Sequence, residues 1–173
     1  MSDDRYDSLD RTLHAPILEA ASPFAGTFAR YQGVQLSIFD VSDFANPQLL
    51  AKEIIGVRGT ESDANQSPKA FNYYARRDAL AIPIVLAEGP TQAPSQPGHY
   101  SFGGLYVYRA SVEDGFELLG RISTTSGQVS YWSGGRYARG IFIGDVVYAV
   151  TDKLVVAAST ADPSQIQSSV TLP

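Results

Sequence analysis

The sequence contains no cysteine. That excludes disulfides, thiolate metal sites and cysteine nucleophiles together, although it does not fix the compartment, because a secreted protein need not contain cysteine. His14 and His99 are the only histidines, and two imidazoles far apart in sequence leave little for histidine catalysis or metal binding. No apolar run reaches the roughly eighteen residues of a membrane helix. The opening MSDDRYDSLD lacks the cationic end and apolar stretch of a signal peptide. Basic residues number 13 against 18 acidic, for a net charge of −5. A nucleic-acid surface needs a basic footprint, and adhesion to anionic lipid needs cationic clusters; neither is present. The chain does have 44% hydrophobic residues over 173 positions, enough for the core of one domain.

Residues 1–30 differ from the rest. Asp3, Asp4, Asp7 and Asp10 crowd the start, and Pro16 and Pro23 interrupt the remainder of this region. A short helix over Leu13–Ala21 is weakly compatible with the pattern, and the region is expected to be a partly ordered N-terminal arm, with residues 31–173 forming the domain. From Gly33 the period becomes two: in GVQLSIFD, Val34, Leu36 and Ile38 point one way and Gln35 and Ser37 the other, as in a strand with one buried face. Further strands are expected over Gln48–Ile55, Lys69–Tyr74, Ala79–Leu86, Gly104–Ala110 and Phe116–Ser123. A polar loop spans Gly56–Pro68, and the Pro-rich stretch Gly89–Gly98 is a second loop. Ala138–Ile143, Gly144-Asp145 and Val146–Thr151 read as a hairpin whose Gly suits a type II′ turn. Asp152-Lys153 then leads to Leu154–Ser159.

The strands recur. LSIFDVS from Leu36 and LYVYRAS from Leu105 correspond at a shift of sixty-nine residues, and the same shift carries LLAK (Leu49–Lys52) onto LLGR (Leu118–Arg121). RRDALAIPI from Arg76 and IGDVVYAVT from Ile143 correspond around Asp78 and Asp145, and LVVAAST from Leu154 resembles LSIFDVS again. A recurring unit of four antiparallel strands is the blade of a β-propeller. The expected fold is therefore all-β, a partial β-propeller of two to three four-stranded blades. It would hold two strands of one blade, four of the next and at least three of a third, with SQIQSSVTLP able to supply one more. A plain antiparallel sandwich is the competing architecture.

The stretches YQGVQLSIFDVSDFANPQLLAKEIIGVRGTESDANQSPKAFNYYARRDALAIPIVLAEG, GGLYVYRASVEDGFELLGRIS and RGIFIGDVVYAVTDKLVVAAS resemble a bacterial and archaeal family. Its members are secreted proteins with a C-terminal β-propeller distantly related to WD-type repeats. The resemblance covers about Tyr31 to Pro173. It implies a propeller fold and a secreted or cell-surface setting, and no settled biochemical activity. This sequence departs from the family in lacking a signal sequence and the earlier blades, and in carrying Ser67-Pro68 where the family tends to have an acidic-His pair before KAF. On that footing the chain would complete a ring by self-association, cover its open blade faces with residues 1–30, or be part of a longer product.

Chemistry-bearing clusters are few. Asp40 and Asp43 in FDVSD fit a turn better than a calcium site, because Arg109 replaces the first Asp in the recurrence. His99 has no partner set for general-base work. Ser101, Ser126 and Ser130 lack a nucleophile-elbow context. Glu61 and Asp63 lie in a long polar loop and are candidates for contacting a cation or a partner. Tyr131 and Trp132, flanked by Ser and Gly, are candidates for stacking a sugar or gripping a protein. No catalytic residue, metal site or cofactor is assigned. The expected function is a non-enzymatic binding module with a protein or glycan partner. The alternatives are a hydrolase using loop carboxylates on a propeller face, and a truncated fragment without activity of its own.

Overall fold

The computed structural model describes residues 32–90, 96–132 and 137–173. The expected N-terminal arm and part of the Gly89–Gly98 loop lie outside those residues. Among the described residues ten strands form three antiparallel sheets: β1 (Val34–Asp40) with β2 (Gln48–Ile55); β3 (Asn72–Tyr74), β4 (Ala79–Glu88), β5 (His99–Ser111) and β6 (Gly115–Ser123); and β7 (Arg139–Ile143), β8 (Val146–Val150), β9 (Leu154–Ser159) and β10 (Ile166–Thr171). Each four-stranded sheet runs in sequence order, so every connection inside it joins neighbours. Among the described residues no helix is long and apolar enough to cross a membrane. The sheets are the half-blade and two blades expected from the recurrence, and the C-terminal segment supplies the outermost strand of the third.

The recurrence holds at the level of pairing. Leu36 lies opposite Glu53, and Leu105 opposite Ile122; Ser37 lies opposite Lys52, and Tyr106 opposite Arg121. The register slips between Ile38 and Phe39 in one pair and between Val107 and Tyr108 in the other. Every one of these correspondences has the same sixty-nine-residue offset. A β-bulge adds one residue on one strand and sharpens the local twist. Its recurrence shows that β1–β2 and β5–β6 are the same structural unit.

The blades stack face to face because β4 and β5 are apolar on both sides. Leu80, Ile82, Ile84 and Leu86 join Tyr106, Tyr108 and Ala110 against Val34, Leu36 and Ile55 of the first sheet. Ala81, Leu105, Val107 and Ile122 pack instead against Val147, Ala149, Val156 and Ala158 of the third. A strand buried on both faces reads as a continuous apolar run, as ALAIPIVLA does. Pro83 sits inside it, opposite Leu105. Proline donates no ladder hydrogen bond, so a central strand rarely holds one. Tyr106 packs against Phe102 and Tyr108 at 5.3 and 6.1 Å, and Arg121 stands over its ring at 4.8 Å.

Local chemistry sets the turns. Ile143 pairs with Val146, leaving Gly144-Asp145 as a two-residue loop; Gly144 has φ 60° and Asp145 stays at negative φ, as a type II′ turn requires. Asp78 takes the corresponding place between β3 and β4 in the left-handed region, φ 49°, where aspartate is better tolerated than most residues. Its carboxylate accepts the Tyr73 hydroxyl at 3.0 Å. Asp40 accepts from the Ser42 backbone N–H at 2.8 Å and Asp43 from Ala45 at 3.0 Å, so both are turn formers. The Ser42 hydrogen bonds hold the Asp40 carboxyl below its ordinary range.

One expected strand is shorter than its sequence suggests. Lys69–Tyr74 divides into a 3-10 turn, Pro68–Ala70, and the three-residue β3. Pro68 opens the turn, where its fixed φ and missing N–H cost nothing.

The third blade meets the second most closely at Gly140. A Cβ there would lie 2.5 Å from the Ala81 Cβ and 3.2 Å from Leu105. Gly140→Ala is therefore expected to destabilise the protein by about 1–3 kcal/mol through overpacking, read as a lower urea midpoint; an unchanged midpoint would show that the blades are not in contact there.

Burial raises the Tyr73, Tyr106 and Tyr108 phenols above their ordinary value, with the Asp78 hydrogen bond adding to the effect at Tyr73 and Arg121 opposing it at Tyr106. The fold thus favours the protonated phenols. Their contribution is whole below the unfolded value near ~10 and is lost as pH rises past it toward the folded values. Stability should fall above pH ~10, with part of the phenolate absorbance appearing only as the protein unfolds. Smooth titration of all ten tyrosines with the fold intact would refute it.

Candidate functional site

Antiparallel alternation sorts the connections to two ends of the stack. At one end lie the tight turns between β1 and β2, β3 and β4, β5 and β6, and β7 and β8. Arg77 and Asp145, in two equivalent turns there, form an ion pair, and both side chains are exposed. Such a pair contributes little to stability. At the other end lie the long connections: residues 56–71 from β2 to β3, 89–98 from β4 to β5, and 124–138 from β6 to β7. All four residues singled out in the sequence sit on this second end, Glu61 and Asp63 in one connection and Tyr131 and Trp132 in its equivalent one blade later.

The first of these connections is strapped down. Val57 N–H donates to the Ala87 carbonyl at 3.0 Å, and the Thr60 hydroxyl both donates to that carbonyl, at 3.1 Å, and accepts from the Ala87 N–H, at 3.0 Å. Glu61 and Val85 exchange backbone hydrogen bonds of 2.9 Å each way. Gly98 N–H donates to the Arg58 carbonyl at 2.8 Å and joins two connections of the same end. Ser62 accepts the Ala64 N–H and begins the 3-10 turn Asp63–Asn65.

Asp63 is nearly buried, and its carboxylate accepts a 2.6 Å hydrogen bond from the Arg139 guanidinium. Arg139 also donates to the carbonyls of Tyr137 and Ala138 at 3.1 and 3.2 Å. The ion pair therefore ties the Glu61–Asp63 segment to the C-terminal end of the Tyr131–Trp132 connection. Asn72 reinforces the junction, its side-chain N–H donating to the Gly140 carbonyl at 2.7 Å. Sequence pattern could not have found this pair, because its partners stand seventy-six residues apart.

Trp132 is 77% exposed. Tyr131 meets it edge to face, ring centroids 4.8 Å apart. Such a pair fixes the indole while leaving a flat apolar surface toward solvent. The strand aromatics take the packing role instead: Tyr106 and Tyr108 lie in the core, and Tyr74 stacks on Phe142 at 5.6 Å.

The same end holds a cleft of about 630 Å³ between the second and third blades. Ser123, Thr124, Thr125 and Ser126 line one side and Thr151, Asp152 and Lys153 the other. Its lining is rich in hydroxyls, and the buried Thr124 hydroxyl has no hydrogen-bond partner. The Tyr131–Trp132 connection starts from this wall. The cleft escapes sequence reading because its two sides come from different blades. Among the described residues no three His, Asp or Glu side chains are grouped to hold a metal ion.

The family model for the β-propeller domain matches residues 18–162, in agreement with the stacked four-stranded sheets, and the chain belongs to that family. No curated protein and no solved structure matches the chain.

Removing one partner of the Asp63–Arg139 pair leaves a partly buried charge without compensation. Asp63→Ala and Arg139→Ala are each expected to cost about 1–3 kcal/mol, less than the roughly 3–5 kcal/mol of a broken fully buried pair because Arg139 retains some solvent. The double variant should lose less than the sum of the two. Strict additivity in a urea-unfolding cycle would show that the pair does not couple the connections.

Proposed function

We propose that the chain is a non-enzymatic binding module of a secreted or cell-surface β-propeller protein, and that it takes a glycan at the end formed by the long connections. The observation that carries this reading is the exposed indole of Trp132 braced by Tyr131. A sugar presents an apolar face of C–H bonds to an aromatic ring and hydroxyls around its rim. The Trp132 surface suits the first, and the wall of Ser and Thr hydroxyls at Ser123–Ser126 suits the second. The secreted or cell-surface setting rests on the sequence resemblance. A hydrolase would need converging carboxylates; Asp63 is engaged by Arg139, so binding is the reading favoured over catalysis. Glu61 is proposed as a rim residue of the same end.

Trp132 is the sole tryptophan, so its fluorescence reports the site directly. Titration with a panel of neutral oligosaccharides should shift and quench the emission saturably for at least one of them. Trp132→Ala should weaken that binding by about 10-fold or more, the scale of a lost aromatic anchor. Thr124→Val should leave the protein as stable or more so, because it removes a buried unpaired hydroxyl. Emission that no glycan moves, with a protein partner captured through Trp132 instead, would replace the glycan by a protein ligand. Emission indifferent to both would end the binding proposal.

A further inference from the structure

The groove between blades recurs at the end formed by the long connections. Residues 123–125 and 153–154 line it between the second and third blades. The sixty-nine-residue offset carries residues 122–125 back onto 53–56, and the sixty-seven-residue step from Asp78 to Asp145 carries 153–155 back onto 86–88. Residues 53–56, 86 and 88 line a cavity of about 150 Å³ between the first and second sheets. The position is the same and the chemistry is not. Hydroxyls line the later groove, whereas Glu53, Glu88, Arg121, Tyr106 and Tyr108 line the earlier one.

The Arg121 guanidinium stands 4.8 Å from the Tyr106 ring centroid and 6.0 Å from that of Phe102, cation–π contacts that steady an otherwise exposed side chain. Among the described residues no acceptor takes its N–H groups. Tyr106 and Tyr108 are each only 2% exposed, and no described residue hydrogen-bonds to either phenol. A buried tyrosine hydroxyl ordinarily has such a partner. Burial raises both phenols; Arg121 opposes the rise at both, while Glu88 adds to it at Tyr106 and Glu53 at Tyr108. The three charged groups therefore act on the same pair of hydroxyls, which stay protonated and can donate or accept. Glu88 already accepts from the Ser101 hydroxyl at 2.5 Å. Glu53 is the carboxylate of the cavity that no described residue engages.

A simple anion here would meet two carboxylates, and a simple cation would meet a guanidinium. A ligand that carries both signs satisfies each. We propose that this cavity binds a small α-amino acid as its zwitterion, the carboxylate on the Arg121 guanidinium with a phenol hydroxyl as second donor, and the ammonium on Glu53. A guanidinium presents its N–H groups in a fork that matches a carboxylate. A volume of about 150 Å³ is the share of roughly five water molecules, so the ligand is of the size of glycine, alanine or serine. Leu86 and Leu118 offer its side chain an apolar wall. The site is separate from Trp132 and does not depend on a glycan being the ligand there.

Calorimetric titration of the full chain with L-alanine should show saturable binding. Ethylammonium and propionate, each carrying one of the two charges, should bind about 10-fold weaker or worse, because each forgoes a charge-assisted hydrogen bond. Glu53→Gln and Arg121→Gln should each weaken L-alanine binding by about 10-fold or more. Tyr108→Phe, which removes only the hydroxyl, should weaken it less, and Trp132→Ala should leave it unchanged. The Glu53 and Arg121 variants should keep the urea midpoint of the unaltered chain, as solvent-reached side chains usually do. Absence of saturable heat from glycine, L-alanine and L-serine would overturn the proposal. So would ethylammonium or propionate binding as tightly as L-alanine, or full affinity in both charge variants. The comparison of ligands uses the unaltered chain, so it stands whether or not a variant folds.

Discussion

β4 is apolar on both faces, and the other sheets take their places from that fact. Leu80, Ile82 and Ile84 cannot be buried by the same layer that buries Ala81, so the middle sheet needs one neighbour on each side. Side-chain alternation along a strand makes this demand local, while satisfying it requires residues twenty-five or more positions away in either direction. The first and third sheets answer it with the same kind of unit. Among the described residues strand pairing stays within each sheet, and contact between sheets is left to apolar side chains and a few polar ties.

Those polar ties concentrate at one end. The Asp63–Arg139 pair and the Asn72–Gly140 hydrogen bond join successive blades beside the long connections. The opposite end carries short turns, in one of which Asp40 and Asp43 accept from nearby backbone N–H groups. The division is physical in origin. A two-residue turn uses its polar atoms to reverse the chain, whereas a connection crossing to the next sheet has length to spare and can present side chains such as Trp132. The side chains free to meet a ligand gather at that second end for the same reason.

Much of the fold was legible because alternation and recurrence are written in adjacent letters. β2 and β9 begin and end where the periodicity places them, and Gly144-Asp145 turns as its glycine dictates. The 3-10 turn at Pro68–Ala70 was obscured by an apolar pattern that continues through it. β5 begins at His99, five residues earlier than its apolar run indicates, because β4 extends to Glu88 and keeps it paired. The aromatic pair was visible as neighbouring letters, but its exposure was not. The cleft and the Asp63–Arg139 pair depend on how separate sheets are brought together, which no local pattern encodes.

Gly140 carries one more implication. On the side of the middle sheet that faces the third, side chains grow from Ala81 on β4 through Leu105 and Val107 on β5 to Ile122 on β6, and the narrow end rests on a residue with no side chain at all. At that margin the second and third sheets have no room for an added methyl. Close approach of β7 to β4 at this point therefore depends on a glycine facing the methyl of Ala81.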